Sequence, residues 1–585
     1  MENDLETKRK HSASHIMTAA VQMIYGKEVG LGVGPWTDSG FYQDFDFSDM
    51  QISESDLKTI EKKMRWIVNK DMPIKREVVS AEQALELCKG DTYKTELVEE
   101  VIEKGEDISF YYIGESLDKA ISVNLCAGPH LESTGELGVF KLERVAGAYW
   151  RGDEKNKMLT RIYGVAFATS EELAEYQERM EEAKKRDHRK LGKELGLFTF
   201  SDLVGSGLPL YTPEGNTVLN EIANYSRELN SRLEYGEVHT PNINKAELFK
   251  TSGHYDQYKD DMLSVTSHYV KDEMFLKPMN CPQHTQIYAS QPRSYKDLPI
   301  RYSDFANLYR DERPGELSGL TRLRAFRQDD GHSFCREDQI EEEISNILDT
   351  IKEALKTYKL DYVMRLSLRD QDNKEKYLGT DEVWEKSQDI LRKLLISKDI
   401  TFTEEEGEAA FYGPKIDIVA VDALGREWQI STAQLDFSMP SRFKLEYTNE
   451  NGEKETPVMI HRALVGSPER FFAILIEHFA GAFPLWLSPE QVRVLPIAET
   501  HKEYARKIAD ELRASGFRVE LDDSNDTLGK RIRNVKTAKV PYFLVLGDDE
   551  VANKTVTIES RDSSKQAKSL DEFIQALQEE ISNKS

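Results

Sequence analysis

Length constrains this chain before any motif does. Single hydrophobic cores stop growing at roughly 250–300 residues, so 585 residues imply about three or four domains. Residues 1–168 mix helix-like and strand-like stretches; 108–113 (ISFYYI) is rich in β-formers and stops at Gly114. Residues 169–195 are highly charged. There Thr169 and Glu172 stand at capping-box spacing, and Leu173, Tyr176, Met180 and Ala183 make an apolar stripe. This predicts a linker helix lying on another domain, although a solvated helix with one apolar face fits the same residues. Residues 196–489 carry aromatic-rich strands, tight turns and long amphipathic helices. From 490 to 585, strand patterns at 492–497, 517–521, 542–546 and 555–558 alternate with helices, the last starting near Ser569. Such alternation predicts a small α/β domain with a mixed sheet. The chain as a whole reads as α+β and multidomain.

Composition removes several classes of function. The first residues (MENDLETKRKHSASHIM) contain no apolar run and so no secretory signal. The longest apolar stretch, 471–487, is broken by Glu477, His478, Gly481 and Pro484. A membrane span needs about 20 largely apolar residues, so this stretch reads as a buried helix and a turn, with no membrane partner. The cysteines at 88, 126, 281 and 335 are too scattered for a disulfide framework and point to a reducing, cytoplasmic location. A net charge of −26 argues against a general nucleic-acid binder. Binding follows the local field, however, and residues 529–539 (GKRIRNVKTAK) carry five basic groups and no acid. A solvated helix face explains that run equally well.

The residues that look chemical lie in the third section. Residues 308–328 (LYRDERPGELSGLTRLRAFRQ) read as two alternating strands joined by a Pro-Gly turn at 314–315, crowded by Arg310, Arg313, Arg322, Arg324 and Arg327. Guanidinium forks match phosphate oxygens, though a surface hairpin with outward charges is the plainer reading. Residues 466–470 (GSPER) open the apolar helix and bring Arg470; Thr240-Pro241 follows a helix-like stretch at 219–235. In this order the three resemble the signature motifs of class II aminoacyl-tRNA synthetases. The words MNCPQH (279–284), RQDDGHSFC (327–335), FYGPKID (411–417), WQISTAQLDF (428–437) and VMIHRA (458–463) are similar to those of threonyl-tRNA synthetases. The resemblance runs from about residue 5 to the C-terminus.

It implies a class II catalytic core built on an antiparallel sheet (196–489), an α/β anticodon-binding domain (490–585) and an α+β editing domain (1–168), with 169–195 as linker. The implied reaction activates L-threonine with ATP to threonyl-adenylate and transfers it to tRNA(Thr). Arg310 would contact the α-phosphate, Glu312 the adenine amino group and Arg470 the γ-phosphate. Arg324 and Gln429 complete the ATP set, and Mg²⁺ accompanies the nucleotide. Arg310, Glu312, Arg324 and Arg470 form the catalytic group, which works by positioning and electrostatics rather than covalent chemistry. One Zn²⁺ per subunit would be held by Cys281, His332 and His461. Spacing alone points instead to the pairs Cys281/His284 or His332/Cys335, or to buried cysteine packing. Three protein ligands leave zinc open positions, which threonine fills with its amino and hydroxyl groups and valine does not. A site built on that hydroxyl rejects the isostere by ~10⁴-fold or more. Gln328, Asp330 and Tyr412 match positions around the amino acid, although Asp329-Asp330 also reads as a pair of exposed turn acids.

Serine chelates as threonine does and lacks only a methyl, worth ~1–3 kcal/mol. A hydrolytic second site is therefore expected. His11 and His15 stand at i,i+4 on one helix face, and Cys126 and His130 repeat the spacing. Four such groups could make a metal site, while either pair alone is a common coincidence. With YKTEL (93–97) and GAYWRGDEKNKM (147–158) they resemble the editing domain shared by threonyl- and alanyl-tRNA synthetases, which hydrolyses mischarged seryl-tRNA. Lys94 matches a functional lysine there, and zinc is expected only in the catalytic section. Asn124 stands where the family usually has Asp, which implies slower editing or reliance on His11, His15 and water. The β-grasp domain that many relatives carry ahead of the editing domain is expected to be missing. Asn525, Arg533 and Glu550 are the anticodon candidates, reading unpaired bases by stacking and edge hydrogen bonds. Thr240-Pro241 resembles an interface motif and implies a homodimer. Two alternatives are a class II enzyme charging proline, serine or alanine, which bound zinc would exclude, and a non-catalytic tRNA- or mRNA-binding paralogue. Retention of Arg310, Glu312, Arg324, Arg470 and all three zinc positions argues against the second.

Overall fold

The computed structural model describes residues 2–37, 40–48, 50–153 and 155–585, with side chains from residue 5 onward. The chain divides into two compact units, Met1–Glu181 and Glu182–Ser585. In the first, the helix Glu2–Tyr25 buries Ala13, Ile16, Met17 and Ala20 at three- and four-residue intervals. The helix Glu54–Val68 does the same with Leu57, Ile60, Met64 and Ile67. Both pack on Phe41, Phe45 and Ile162 of an antiparallel sheet ordered Gly30–Leu31, Gly40–Asp46, Met158–Phe167, Val139–Tyr149. A second antiparallel sheet runs Ile74–Val78, Ser109–Ile113, Ser122–Leu125. The charged stretch forms the helix Ser170–Arg186. Thr169 and Glu172 exchange the two hydrogen bonds of a capping box. Of the apolar stripe, Tyr176 is buried against Phe167 and bonds Glu143, while Met180 stays 38% exposed.

The second unit is organised by an eight-stranded sheet. Its strands are β1 (Gly236–Glu237), β2 (Ile300–Tyr309), β3 (Ala325–Cys335), β4 (Asp361–Leu368), β5 (Thr403–Glu406), β6 (Lys415–Val421), β7 (Glu427–Asp436) and β8 (Val458–Ala463). The spatial order is β1-β2-β3-β8-β7-β6-β4-β5, antiparallel except at the two edge pairs. Cys335, Ile460, Ala433 and Leu435 point to one face, where the helices Pro213–Arg232, Ile340–Thr357 and Pro468–His478 cover them in one large core. Alternation along the strands sends Asp330 and His332 to the other face.

The expected tight hairpin at 308–328 is not what forms. The β2–β3 ladder ends at Tyr309↔Ala325, and residues 310–324 make a long loop in which Pro314–Glu316 is a single 3₁₀ turn. Arg310, Glu312, Arg313, Arg322 and Arg324 therefore lie in a loop, and only Arg327 of that set is on a strand. The reason is competition for backbone groups. The Arg310 amide still bonds Arg324 O, but the Arg324 amide bonds Gly207 O and the Asp311 amide bonds Asp261 O, so neither is left to extend the ladder.

The last section forms a five-stranded sheet ordered Val519–Leu521, Val492–Pro496, Tyr542–Leu546, Val556–Ser560, Lys565–Lys568. The first three strands are parallel and the rest antiparallel. The terminal helix Leu570–Ser582 begins at a Ser569 cap. No helix among the described residues is long and apolar enough to cross a membrane.

Beneath the large sheet, Arg462 and Asp329 form an ion pair at 3.0 Å with both side chains 0% exposed. Asp329 also accepts from the Leu464 and Val465 amides, and Arg462 donates to Asn230 and stacks on Tyr235. Removing one partner leaves the other charge buried and unpaired. Arg462→Met should therefore cost about 3–5 kcal/mol, read as a lowered urea midpoint for the unfolding transition of the catalytic sheet.

Candidate active site

Register sets the centre of the site. His332 on β3 lies directly opposite His461 on β8, and Gln434 on β7 lies opposite His461 on its other side. All three side chains share a face. Cys281 opens the helix Cys281–Ala289 above them. One ligand atom each from Cys281, His332 and His461 lies within 4.8 Å of the others. The two facing nitrogens, His332 Nε2 and His461 Nδ1, are 3.0 Å apart. Their outer nitrogens are engaged: His461 Nε2 bonds Asp436 Oδ2 at 3.0 Å, and His332 Nδ1 meets His284 Nδ1 at 2.8 Å. A carboxylate behind a ligating imidazole fixes its tautomer and raises its basicity, the arrangement found around metals. Burial pushes the Cys281 thiol well above its usual range; a cation among the three groups reverses that preference. The donor set thus fits a metal ion.

The remaining amino-acid candidates surround this cluster. Asp330, two residues from His332, is buried, and burial lifts its carboxyl to about 6 against the opposing pull of the His461 and Arg462 charges. Tyr412 stacks on His461 at 4.6 Å and donates to Gln434 Oε1 at 2.5 Å. Gln328 is half-buried opposite Ala306. Sequence reasoning offered His284 only as a spacing partner of Cys281, and missed Gln434, Asp436 and His254, whose Nε2 is 3.7 Å from Cys281 Sγ. The even spacing of His332, Asp330 and Gln328 on one strand, matched by Gln434 and Asp436 in WQISTAQLDF, was the available signal for two of them.

Beside the cluster, Arg310, Glu312, Arg322, Phe326, Trp428 and Arg470 line a cleft of about 480 Å³. The arginines differ in what they touch. Arg322 is paired with Glu312 and Glu316, and Arg327 with Glu469. Arg324 donates to the carbonyl oxygen of Glu312 at 2.8–3.0 Å, so it holds that residue's backbone rather than lining the cleft. Arg310 lies over Phe326 and Arg470 over Trp428, and neither has a carboxylate partner among the described residues. Burial weakens the charged form of both. Two cations without counter-ions in one cleft make a site for a polyanion. Gln429 is exposed on β7 next to Trp428 and is not part of the lining.

In the first unit, the loop after Ser122–Leu125 brings Cys126 and His130 to the helix bearing His11 and His15. Cys126 Sγ is 3.3 Å from His11 Nε2 and from His130 Nε2. The His130 ring lies 4.1 Å from His11, 4.2 Å from His15 and 4.3 Å from Tyr111. Burial lowers His11 to about 4, His130 to about 2 and His15 well below its ordinary value, and raises Cys126, so the cluster is neutral at pH 7. Lys94 is buried, and its pKa is lowered by that burial, with Asp91 and Cys126 opposing. Asn124 is buried and its Oδ1 has no hydrogen-bond partner.

The anticodon candidates gather at one end of the last sheet. Asn525 and Arg533 follow Val519–Leu521, and Glu550 follows Tyr542–Leu546, so all three lie beyond the carboxyl ends of parallel strands. Asn525 and Arg533 are exposed. Glu550 accepts from the Gly547 amide and Thr557, which occupies its carboxylate structurally. Of the five basic residues at 529–539, only Arg533 makes no hydrogen bond or ion pair among the described residues; Arg531, for example, is buried on two carbonyls.

Comparison with known proteins gives this geometry its context. Residues 264–479 match the model for the tRNA synthetase class II core domain (G, H, P, S and T), residues 491–580 the anticodon binding domain, and residues 108–163 the threonyl and alanyl tRNA synthetase second additional domain. The chain is a class II aminoacyl-tRNA synthetase. It is 48% identical over 561 residues to the threonine–tRNA ligase of Rubrobacter xylanophilus, covering 95% of this chain and 85% of that protein. It is 46% identical over 575 residues to that of Thermotoga neapolitana, covering 98% and 88%. A solved structure described as the RNA binding domain of threonyl-tRNA synthetase from Cryptosporidium parvum Iowa II superposes with a TM-score of 0.65 at 40% identity, covering 67% of this chain and 98% of that one. The chain belongs to the threonine–tRNA ligase family. Aminoacylation by the core and editing by the first unit follow from that membership, with threonine, ATP and tRNA as substrates.

His11 titrates at about 4 in the folded unit against an ordinary 6.5, so between those values the unfolded chain binds more protons. Its contribution to stability is complete above pH 6.5 and is lost as pH falls towards about 4. Melting of the first unit, followed by hydrogen exchange from pH 7.5 to 4, should show a steeper loss for the wild type than for His11→Asn.

Proposed function

We propose that this ligase selects threonine through a zinc ion held by Cys281, His332 and His461, and binds Mg-ATP in the adjoining cleft. The observation that carries the zinc reading is the convergence of these three donors with Asp436 and His284 already bonded to the outer nitrogens of the two histidines. When bound, zinc offers open positions that a vicinal amino alcohol can fill and an isosteric hydrocarbon cannot. Asp330 and the Tyr412–Gln434 pair, beside the three donors, would hold the polar groups of the amino acid.

Arg310 and Arg470 carry the ATP reading, because neither has a counter-ion of its own. With the phosphates anchored on these two guanidiniums, the threonine carboxylate attacks the α-phosphorus and pyrophosphate leaves. The arginines neutralise charge that builds on the phosphoryl oxygens, and the chain forms no covalent bond to the substrate. A terminal tRNA hydroxyl then attacks the acyl carbon of the adenylate and AMP leaves. Glu312, held by Arg322 and by the Arg324 grip on its carbonyl, faces the same cleft and receives the adenine amino group.

The domain assignment proposed is 1–168 for editing, 169–195 as linker, 196–489 for catalysis and 490–585 for the anticodon. In editing, His11, His15, Lys94, Cys126 and His130 hold a water against the seryl ester. Asn525, Arg533 and Glu550 face the anticodon loop, Arg533 being the free cation of its helix. Thr240, whose hydroxyl bonds Asp304 at 2.7 Å, sets the segment through which two copies pair. Four unpaired cysteines suit a reducing, cytoplasmic setting.

ATP–pyrophosphate exchange with threonine, serine and valine, run beside metal analysis, tests this reading. Exchange with threonine, less with serine, none with valine and about one zinc per chain is the expected pattern; exchange with valine or without metal overturns it. Asp436→Asn should weaken zinc binding about 10–100-fold, measured by competition with a chromophoric chelator.

A further inference from the structure

One more group of potential ligands is gathered among the described residues: Asp187, His188 and Glu477. Its donors and acceptors are already in use. His188 Nδ1 lies 2.6 Å from Glu477 Oε1, which also accepts from the His188 backbone amide at 2.9 Å. The other imidazole nitrogen, Nε2, accepts from the Leu320 amide at 3.0 Å. The second oxygen of Glu477 pairs with Arg426, and Asp187 pairs with Arg189. The group is a hydrogen-bonded joint, with both imidazole nitrogens committed. An amide N–H only donates, so Nε2 is the acceptor and Nδ1 carries the proton given to Glu477.

The joint holds the loop 310–324. Leu320 is 1% exposed and lines the cleft with Ser318, Thr321 and Arg322, on the same wall as Glu312. Residues 313–323 otherwise bond only within the loop; among the described residues, the Leu320 amide makes their one hydrogen bond to the rest of the unit. The approach is close. Gly319 has φ +47°, and a Cβ there would stand 2.1 Å from His188 Nε2, so only glycine lets the backbone reach the imidazole.

We propose that His188 is a positioning residue for nucleotide binding: its Nε2 tethers the Leu320 amide and so fixes the wall that carries Glu312 and Arg322 in the cleft that Arg310 and Arg470 also line. The proposal rests on the cleft being the ATP site. Two substitutions separate the two bonds of the imidazole. In H188N the amide nitrogen takes the place of Nδ1, still donating to Glu477 but leaving the Leu320 amide without an acceptor. In H188Q the carbonyl oxygen takes the place of Nε2, keeping the Leu320 tether and leaving Glu477 only the backbone amide of residue 188.

Pyrophosphate exchange by the full-length protein, with ATP and threonine varied separately, reads the outcome. H188N should raise the KM for ATP about tenfold, the order expected for one lost hydrogen bond, with the KM for threonine unchanged. H188Q should restore most of the ATP KM although its melting temperature falls as far as that of H188N. An equal rise in both variants, or a loss that tracks melting temperature, overturns the tether. Arg470→Ala, run in parallel, keeps the two readings apart. If its KM for ATP is unchanged, the cleft assignment fails; if it rises while that of H188N does not, only the tether fails.

Discussion

The antiparallel pairing of β3 with β8 is the constraint on which the rest of the catalytic unit depends. A strand slipped by one residue turns every side chain to the other face, and here both faces are committed. Gly331↔Arg462 and His332↔His461 are neighbours in one ladder. On the helix-covered side, the register lets Asp329 meet Arg462 with no exposure and reach the Leu464 and Val465 amides. On the other side it sets two imidazoles 3.0 Å apart. A buried ion pair is a poor source of net stability. It is a strong penalty on every register that separates its partners, and that penalty holds the two histidines opposite each other.

The cleft is held by a second layer of the same kind. Arg327, on β3, pairs with buried Glu469, which stands next to Arg470 at the start of its helix. Ser467 caps that helix by accepting from the Arg470 amide. The strand and the helix thus position each other, leaving Arg470 itself without an ion-pair partner among the described residues. Acidic groups neutralise the arginines used for architecture, while those facing the cleft are left to an incoming anion. The chain's net charge of −26 is no obstacle to a polyanionic substrate when the local sign is arranged this way.

Strand and helix patterns were legible where burial repeats with a simple period, as in the strands of the last sheet and the helix that follows Ser569. The loop at 310–324 was not. Alternation continued past Tyr309, and Pro314-Gly315 offered a turn, but period and turn chemistry say nothing about Gly207 and Asp261, far away in sequence, which capture the backbone amides that a tighter hairpin would use. Residue roles divide along the same line. Arg310, Arg470, Cys281, His332 and His461 could be named from their motifs. That Arg324 grips a carbonyl, or that Gln434 and Asp436 face His461, depends on which strands are neighbours, and a single sequence does not give that order. The local pairs Cys281/His284 and His332/Cys335 show how far spacing misleads: His284 ends up behind His332, and Cys335 in the helix-covered core.

The two histidine–cysteine clusters have nearly the same donors and opposite surroundings. In the catalytic one, Asp436 stands behind His461, so an imidazole that gives its inner lone pair to a cation is compensated at its outer nitrogen. In the editing one, no carboxylate bonds any of the four residues among those described; Ser12 meets His130 and Tyr111 packs against it, and buried Lys94 adds a positive neighbour. A cation there gains no support from a second layer and meets a like charge. Neutral imidazoles beside a lysine suit instead the transfer of a proton from water and the stabilisation of an oxyanion. Asn124 fits that division, since its uncharged Oδ1 can accept a hydrogen bond but cannot take a proton. The same residue types thus stand before a carboxylate in one cluster and beside a lysine in the other.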